Sequence, residues 1–459
     1  MRYISTRGAS PDQSFAEILL SGLAPDGGLF MPESWPQIGA GDFANQPYAA
    51  VVHTILSAFA GDSFSSEELK ADIDAAYADF DAPEIAPLSK IGPDTYLLEL
   101  FHGPTLAFKD IAMQVLGRLF ARALAARGGR ATIVAATSGD TGSAAIAALG
   151  GLPNIDVFVL HPHGRVSEVQ RRQMTTSLHA NVHNIALEGT FDDAQAIVKA
   201  LFADTAFARA TNLTAVNSIN FVRIAAQSVY YFTATAKLGV APTFIVPTGN
   251  FGDVFAGEAA QRMGLPIEKL VVATNANDIM ARALNEGIYA AGIVQPTLSP
   301  SMDIQVASNF ERALFEASGR DTAWIRSAMA VFARANRLVL QPSILDDLRT
   351  RYAAYSCSDL ETLKTAAIFY GETGRLIDPH TAVALSAVQK VRETAKGPIV
   401  VLSTAHPAKF PEAVTRATGQ TPPLPPRLQG LYEGVERVSI LPNDRARVRG
   451  FIQDRLGRS

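Results

Sequence analysis

The chain has 459 residues but only one cysteine, Cys357. A single cysteine excludes an internal disulfide and any thiolate metal cluster, and it fits a reducing cytoplasm. An excess of basic residues is also absent, since the net charge is −4 and the pI is near 6.1. Because nucleic-acid-binding proteins usually carry a basic face, this balance argues against a nucleic-acid partner.

Long apolar runs and metal-binding patterns are missing as well. No apolar run approaches the roughly 18 residues of a membrane-spanning helix, so no membrane association is expected. The N-terminal sequence MRYISTRGASPDQ lacks the apolar core of a secretory signal, so a cytoplasmic protein is expected. Seven of the eight histidines show no ligand spacing with carboxylates, and His161 and His163 flank a proline in HPHG, which indicates a turn. No metal site is predicted.

The chain does have an alternation of short, β-type apolar runs and helix-length segments. Its length and its 48% of hydrophobic residues predict a large core divided between two or three domains. Runs rich in Val and Ile that are separated by helices imply βαβ units on parallel sheets, and hence an α/β fold. The runs are ATIVAAT (Ala131–Thr137), DVFVLHP (Asp156–Pro162), TFIVPTG (Thr243–Gly249), KLVVATN and GPIVVLSTAHP.

The first 92 residues follow a different pattern. Two helix-type segments, SFAEILLSGL and SSEELKADIDAAYADF, predict a separate, mainly helical N-terminal domain over 1–92. Residues 93–459 are expected to form two α/β subdomains. The smaller is placed near 110–235, and the larger near 236–459 together with 93–109. The polar, helix-rich stretch 275–375 is predicted to be an insertion.

Three loops are candidates for ligand binding, because ligands of parallel α/β sheets bind at the carboxyl ends of strands. Thr137–Ala145 (TSGDTGSAA) and Pro247–Asp253 (PTGNFGD) contain glycines that let the backbone approach a ligand, and each precedes a helix whose first amides can bind an anion. NSINFVR is predicted to open a long helix with Asn217 and Ser218 and to bring Arg223 near that end. A single glycine-rich loop is often only a tight turn. The three together predict two bound phosphates.

Lys109 is unusual because apolar residues surround it in ELFHGPTLAFKDIAMQVL. A lone lysine of this kind more often packs its stem and extends its ammonium to water. The alternative is a Schiff-base lysine, since burial lowers the pKa of the amine and frees it to attack an aldehyde. An aldehyde that carries a phosphate is pyridoxal 5′-phosphate, which needs a lysine, a phosphate cradle and a group facing its pyridine nitrogen. Ser403 and Thr404, after a buried-type strand, are candidates for the last role.

Motifs along almost the whole chain resemble those of the threonine synthase family, whose members are fold-type II pyridoxal-phosphate enzymes. The lysine segment and SMDIQVASNFER are close to diagnostic of the branch found in bacteria and fungi, whereas the glycine loops alone indicate only fold type II. The resemblance implies a tryptophan synthase β-like α/β fold with two parallel-sheet domains and an additional mainly helical N-terminal domain. The matching segments are YISTRG, SGLAPDGGLFMP, LELFHGPTLAFKDIAMQ, ATSGDTGSAA, NSINFVR, PTGNFGD, PSMDIQVASNFER, TGRLIDPHTAVA and STAHPAKF.

The resemblance also implies roles for individual residues. Lys109 would form the Schiff base, and Thr404, rather than Ser403, would hydrogen-bond the pyridine nitrogen. A carboxylate at Asp140, where many fold-type II enzymes have Asn, is a poor neighbour for the ionised ring hydroxyl of the cofactor. The loop expected to bind the cofactor phosphate is Gly249, Asn250, Phe251 and Gly252. The residues expected to bind the substrate are Ser138, Gly139, Asp140, Thr141 and Ser143 in one loop and Asn217, Ser218 and Arg223 in another.

The implied reaction converts O-phospho-L-homoserine and water to L-threonine and phosphate, the last step of threonine biosynthesis. It is a γ-elimination followed by β-addition of water, so the enzyme would be a carbon–oxygen lyase acting on phosphates. One alternative is a related phospholyase that releases 2-oxobutyrate. Another is a catalytically silent relative that senses a phosphoamino acid, which the intact Lys109 and loops disfavour. The oligomeric state stays open between monomer and homodimer.

Overall fold

The computed structural model describes residues 1–39 and 43–457. The strands are β1 (Tyr3–Ser5), β2 (Phe30–Pro32), β3 (Leu88–Gly92), β4 (Thr95–Glu99), β5 (Ala131–Ala136), β6 (Ile155–Pro162), β7 (Val182–Glu188), β8 (Leu213–Thr214), β9 (Thr243–Pro247), β10 (Lys269–Thr274), β11 (Ile288–Ala290), β12 (Arg337–Val339), β13 (Tyr352–Ser356), β14 (Ile399–Ser403) and β15 (Ser439–Pro442). The helices are α1 (Phe15–Ser21), α2 (Tyr48–Ala60), α3 (Ser66–Tyr77), α4 (Lys109–Ala126), α5 (Asp140–Leu149), α6 (Glu168–Thr175), α7 (Phe191–Ala203), α8 (Thr205–Ala210), α9 (Phe221–Leu238), α10 (Gly252–Arg262), α11 (Ile279–Glu286), α12 (Phe310–Ala317), α13 (Thr322–Ala335), α14 (Pro342–Arg351), α15 (Asp359–Thr373), α16 (Pro379–Ser386), α17 (Val388–Arg392), α18 (Pro411–Thr418) and α19 (Arg445–Leu456).

The larger sheet has six strands in the order β13-β10-β9-β14-β4-β3. All neighbours are parallel except β3, which is antiparallel to β4 at the edge. Every residue of the central strands β9 and β14 is buried, which is typical of a parallel sheet covered on both faces. Their continuous Val- and Ile-rich sequences therefore reflect burial on both sides.

The smaller sheet has five parallel strands in the order β15-β7-β6-β5-β8. The two sheets confirm the expected α/β fold. The domain division differs in detail, because β15 pairs with β7 and α19 buries Val448 and Ile452 in the core of the smaller sheet. The C-terminal segment, which the sequence analysis placed with the larger subdomain, thus returns to the smaller one.

Two further segments bear on the division into domains. β3, at 88–92, was assigned to the N-terminal domain but extends the larger sheet. The stretch 275–375, expected to be an insertion, supplies the edge strand β13 as well as the antiparallel pair β11 and β12. Within 1–39 and 43–457, no helix is long and apolar enough to cross a membrane.

The N-terminal region contains the antiparallel pair β1 and β2 and the helices α1 to α3. Ser14 and Ser65 begin α1 and α3 with capping boxes, in which Glu17 and Glu68 return the hydrogen bond.

The rest of the chain brings four strand ends together. Segments that follow β4, β5, β9 and β14 line one cavity, which is the candidate site.

Candidate active site

Lys109 is the first residue of α4, and only 9% of the residue is exposed. The loop before it is held against the chain that follows β14. The amide of Phe108 donates to the carbonyl of Thr404 at 2.8 Å, and the amide of His406 donates to the carbonyl of Leu106 at 3.0 Å. The apolar sequence around Lys109 therefore buries this side chain in the cavity instead of placing it on a solvated helix face.

The turn that precedes Lys109 is fixed by Asp110, which is fully buried. The amide and the hydroxyl of Thr105 donate to its carboxylate at 2.8 and 2.7 Å. A Cβ atom on Gly103 would lie 2.4 Å from Cβ of Asp110, so only glycine fits there. Side chains on either side of the lysine thus determine the direction in which α4 begins.

Asp140, the first residue of α5, lies buried between two lysines. Its carboxylate is 3.3 Å from Nζ of Lys109 and 3.1 Å from Nζ of Lys409. It also accepts hydrogen bonds from Gln170 at 2.8 Å and from Ser301 at 2.9 Å. Burial raises the pKa of Asp140, but the two ammonium groups outweigh burial and hold the pKa well below its usual value. Asp140 is therefore an anion neutralised by its neighbours.

The same environment changes the amine of Lys109. Burial lowers the pKa of the Lys109 ammonium, the carboxylate of Asp140 opposes that shift, and the net pKa lies below the usual value. The positive charges of Lys409 and Arg223 lower it further. A lowered pKa favours the neutral amine, which is the form that attacks an aldehyde.

Lys409 was missed by the sequence analysis. It is fully buried, and its ammonium donates to the carbonyl of Thr105 at 2.6 Å and to the side chain of Gln173 at 2.8 Å. A signal for it existed, because Lys409 stands between Ala408 and Phe410 in STAHPAKF. That apolar setting is the same one that singled out the first lysine.

The loop between β9 and α10 has the geometry of an anion cradle. Helix α10 begins at Gly252, and Phe251 before it lies in the left-handed region with φ 65°. A Cβ atom on Gly249 would lie 2.8 Å from the carbonyl oxygen of Ser301, so this close approach requires glycine. The first amides of a helix lack acceptors within the helix and can bind an anion. All four residues from Gly249 to Gly252 line the cavity.

Helix α9 begins later than the sequence analysis predicted. Asn220, not Asn217, is its N-cap, and its side chain accepts a hydrogen bond from the amide of Val222. The same side chain donates to the carbonyl of Leu19 in α1, so a contact with the N-terminal region selects the cap. Asn217 lies in the turn before the helix, where its side chain accepts from the amide of Ile219. Unlike Asn217, Ser218 lines the cavity.

Arg223 also lines the cavity and is 3% exposed. Its Nε and Nη1 atoms have no hydrogen-bond partner among the described residues. Burial lowers the pKa of the guanidinium to about 10. Buried donors without partners are costly, so they indicate a position that a ligand completes. A guanidinium recognises phosphate in particular, through charge-assisted hydrogen bonds.

The loop after β5 contributes fewer cavity residues than predicted. Asp140 and Thr141 line the cavity, whereas Ser138, Gly139 and Ser143 are not part of its lining. The hydroxyl of Ser143 donates to the carbonyls of Gly139 and Asp140 at 3.2 and 3.1 Å. Gly139 has a φ of 138°, which favours glycine. These residues shape the start of α5.

The two hydroxyls after β14 have different surroundings. The hydroxyl of Ser403 lies 3.0 Å from that of Thr381, which donates to Asp378. Thr404 lines the cavity, whereas Ser403 is not part of its lining. Several further lining residues had no role assigned from the sequence, among them Phe108, Gln227, Asp253, Ser301, Met302 and His380.

The site fits pyridoxal 5′-phosphate. A buried lysine with a lowered pKa, a helix N-terminus built from glycines and a cavity hydroxyl meet the three requirements of that cofactor. The unpartnered guanidinium of Arg223 offers a second anion position. No group of three or more His, Cys, Asp or Glu side chains that could hold a metal ion exists within the described part of the chain.

Comparisons with known proteins agree with a site for pyridoxal 5′-phosphate. A family model described as pyridoxal-phosphate dependent enzyme matches residues 81–344. The protein is therefore a pyridoxal-phosphate-dependent enzyme, and the fold is that of fold type II. Models described as threonine synthase N terminus and threonine synthase, C-terminal match residues 2–77 and 381–452.

Individual relatives narrow the class to one family. The chain is 48% identical to threonine synthase of Pseudomonas aeruginosa, over 98% of both proteins. The PLP-bound threonine synthase structure from Brucella melitensis matches with a TM-score of 0.96 and 47% identity, covering 99% of each chain. The yeast threonine synthase structure matches with a TM-score of 0.94 and 36% identity, covering 100% of this chain and 99% of that one. The chain belongs to the threonine synthase family.

Proposed function

We propose that the protein converts O-phospho-L-homoserine and water to L-threonine and inorganic phosphate. The observation that carries this proposal is the presence of two anion positions beside one lysine. The glycine loop before α10 suits the cofactor phosphate, and the unpartnered donors of Arg223 suit a second phosphate, that of the substrate. A phosphate on the substrate would pair the buried guanidinium of Arg223 through charge-assisted hydrogen bonds.

The chemistry divides between the cofactor and the protein. When bound, the cofactor withdraws electrons from the Cα atom of the attached amino acid. Lys109 would hold the cofactor and, once the substrate amine displaces it, would carry the Cα proton on Nζ. Its lowered pKa favours the neutral amine that accepts this proton. The carboxylate of Asp140 would then stabilise the ammonium, while Lys409 keeps Asp140 charged.

The other residues would bind and orient the reactants. Arg223 would stabilise the phosphate as negative charge develops on its departure from Cγ. Thr404 would hydrogen-bond the pyridine nitrogen, and a neutral hydroxyl leaves that nitrogen less firmly protonated than a carboxylate would. Ser218 would support the substrate phosphate. The residues proposed to shape the substrate loops around these contacts are Ser138, Gly139, Thr141, Ser143 and Asn217.

A single incubation tests the proposal. The holoenzyme is mixed with O-phospho-L-homoserine, and phosphate, threonine and 2-oxobutyrate are quantified in the same samples. We expect phosphate and threonine in equal amounts, and no product from unphosphorylated homoserine. Phosphate with 2-oxobutyrate but without threonine would make the protein a phospholyase. Absence of phosphate release would contradict both functions.

We also propose a cytoplasmic location. The thiol of Cys357 is free and buried, which fits a reducing compartment. Fractionation of cells that express the protein, with activity measured in each fraction, tests this proposal.

A further inference from the structure

The segment Ser308–Arg312 belongs to a motif that no step of the proposed reaction uses. It ends with the first turn of α12, and two of its polar side chains, Asn309 and Arg312, are fully buried. Buried polar groups are costly unless they are hydrogen-bonded, so their partners indicate what the segment does.

Asn309 joins the two candidate phosphate loops. Its side-chain amide donates to the carbonyl of Asn250 and to the carbonyl of Ser218, each at 3.1 Å. Its backbone amide also donates to Asn250 at 3.1 Å. A Cβ atom on Gly252 would lie 3.2 Å from the side-chain nitrogen of Asn309, so the amide packs closely against the start of α10. One side chain therefore holds both loops.

Arg312 fixes the orientation of this amide. It donates to the side-chain oxygen of Asn309, and it also donates to the carbonyls of Ile219 at 2.7 Å and Phe30 at 3.1 Å. Arginine has only donors, so the oxygen of Asn309 must face Arg312 and its NH₂ group must face the two loops. Burial lowers the pKa of Arg312 to about 9.

The same segment is fastened to the N-terminal region. Phe30 lies in β2, which pairs with β1. Thr6 and Arg7 come directly after β1. The side chain of Thr6 donates to the carboxylate of Glu311 at 2.6 Å, and the guanidinium of Arg7 donates to it at 2.9 and 3.1 Å. The segment therefore contacts three parts of the protein: the N-terminal strand pair, the turn before α9 and the loop before α10.

We propose that Asn309 and Arg312 are positioning residues that set the spacing between the two anion loops, with the N-terminal strand pair as their support. This inference rests on the proposed function for the identity of the anions. Neither side chain lines the cavity, so both act through the loops they hold. Loss of the bridge should therefore weaken binding at both loops together, although the loops belong to different elements.

The sharpest variant is Asn309→Asp, which keeps the size of the side chain and its bond to Arg312. A carboxylate cannot donate, so it would face the carbonyls of Ser218 and Asn250 with an acceptor. Apoenzyme is titrated with pyridoxal 5′-phosphate, and holoenzyme is titrated with inorganic phosphate. We expect both dissociation constants to rise by about tenfold or more.

A matched control separates positioning from general destabilisation. Asn184 in β7 is also buried, and its amide donates to the carbonyls of Met174 and Arg437 at 2.9 and 3.4 Å. Asn184→Asp makes the same chemical change outside the cavity. We expect it to lower Tm without changing either dissociation constant. A control that weakens both ligands as much as Asn309→Asp would overturn the proposal.

The outcome for the two ligands decides the inference. If Asn309→Asp leaves both dissociation constants unchanged, or changes only one of them, the two anion loops do not share this support. If Asn309→Asp does not fold, Arg312→Lys replaces it, because lysine keeps the charge but cannot span the three acceptors, and the same paired loss is expected. These titrations need no turnover, so they are independent of the product assay that tests the proposed function.

Discussion

Replacing Arg223 with methionine should make the ligand-free protein more stable and should weaken its binding of the phosphorylated substrate. Arg223 is 3% exposed, and two of its guanidinium nitrogens find no partner in the described part of the chain. Methionine fills a similar apolar volume without a charge. The substitution therefore removes a buried charge that only a ligand is expected to satisfy.

The magnitude follows from the pKa of Arg223. Burial lowers this pKa from its usual range to about 10, and each pKa unit corresponds to about 1.4 kcal/mol, so the buried charge costs about 3 kcal/mol. Because the folded-state pKa is the lower one, the penalty is complete below pH 10 and disappears only as the pH rises through and beyond that value. For a chain of this length, 1 kcal/mol corresponds to about 1 °C in Tm, so Arg223→Met should raise Tm by about 1–3 °C.

Ligand binding should change in the opposite direction. Removing one partner of a buried charge pair costs about 2–5 kcal/mol, which corresponds to a loss of roughly 30-fold to several thousand-fold in affinity. Arg223→Lys should recover only part of this, because an ammonium cannot make a planar two-pronged contact. The cofactor spectrum should persist, since its phosphate is assigned to the separate loop Gly249–Gly252.

Thermal unfolding with and without inorganic phosphate, together with substrate kinetics, measures both effects. Phosphate should raise the Tm of the wild type but not that of Arg223→Met. Arg312→Met serves as the comparison, because Arg312 is buried with its donors bonded and its loss should lower Tm. A lower Tm for Arg223→Met would refute the reasoning. Loss of the cofactor with substrate binding intact would mean that the two phosphate sites are interchanged.

Three further substitutions test the rest of the site. Lys109→Ala should abolish turnover but keep the fold, because the cavity left by the side chain costs only a few kcal/mol of stability. Borohydride reduction of the wild type should leave the pyridoxyl adduct on Lys109, and an adduct on another lysine would contradict the assignment. Lys409→Met removes a cation that lowers the pKa of Asp140, so this pKa should rise and the acidic limb of the pH–rate profile should move to higher pH. An unchanged profile would exclude a role for Lys409 in keeping Asp140 charged. Burial raises the pKa of Asp253, beside the phosphate loop, to about 6, so its negative charge appears as the pH rises through 6. This charge should weaken binding of the cofactor phosphate, so the fall in cofactor affinity from pH 5 to pH 7 should be smaller in Asp253→Asn than in the wild type. Equal changes in affinity would count against this role of Asp253.

Features with a local physical cause could be predicted from the sequence. The runs predicted as buried strands became β5, β6, β9, β10 and β14, because a continuous apolar run between turn residues has few other stable arrangements. Thr190 caps α7 and Asp193, three residues on, returns the hydrogen bond, which is a pattern of residue types that is visible in the sequence. Lys109 could be singled out because a charged residue within an apolar segment conflicts with its surroundings.

Features decided by distant contacts could not be predicted. Asn217, Ser218 and Asn220 are all competent N-caps by residue type. Asn220 is the cap in the structure, and its side chain also donates to the carbonyl of Leu19, a contact with a distant part of the chain. The placement of Lys409 against Asp140 likewise depends on how the chain after β14 packs on the loop after β5. No local pattern contains that information.

The charges around the cavity do not balance within the protein. Lys409 and Arg223 bring positive charge to a buried space where Asp140 is held firmly as an anion, and Lys109 adds a further charge when it is protonated. A phosphate monoester carries a charge of about −1.5 to −2 near neutral pH, so a cofactor phosphate and a substrate phosphate together exceed this positive surplus. The protein alone carries the electrostatic cost of concentrated cations, and each bound anion relieves part of it. The unpaired guanidinium of Arg223 is thus a cost in the free protein that becomes binding energy only when a phosphorylated ligand enters.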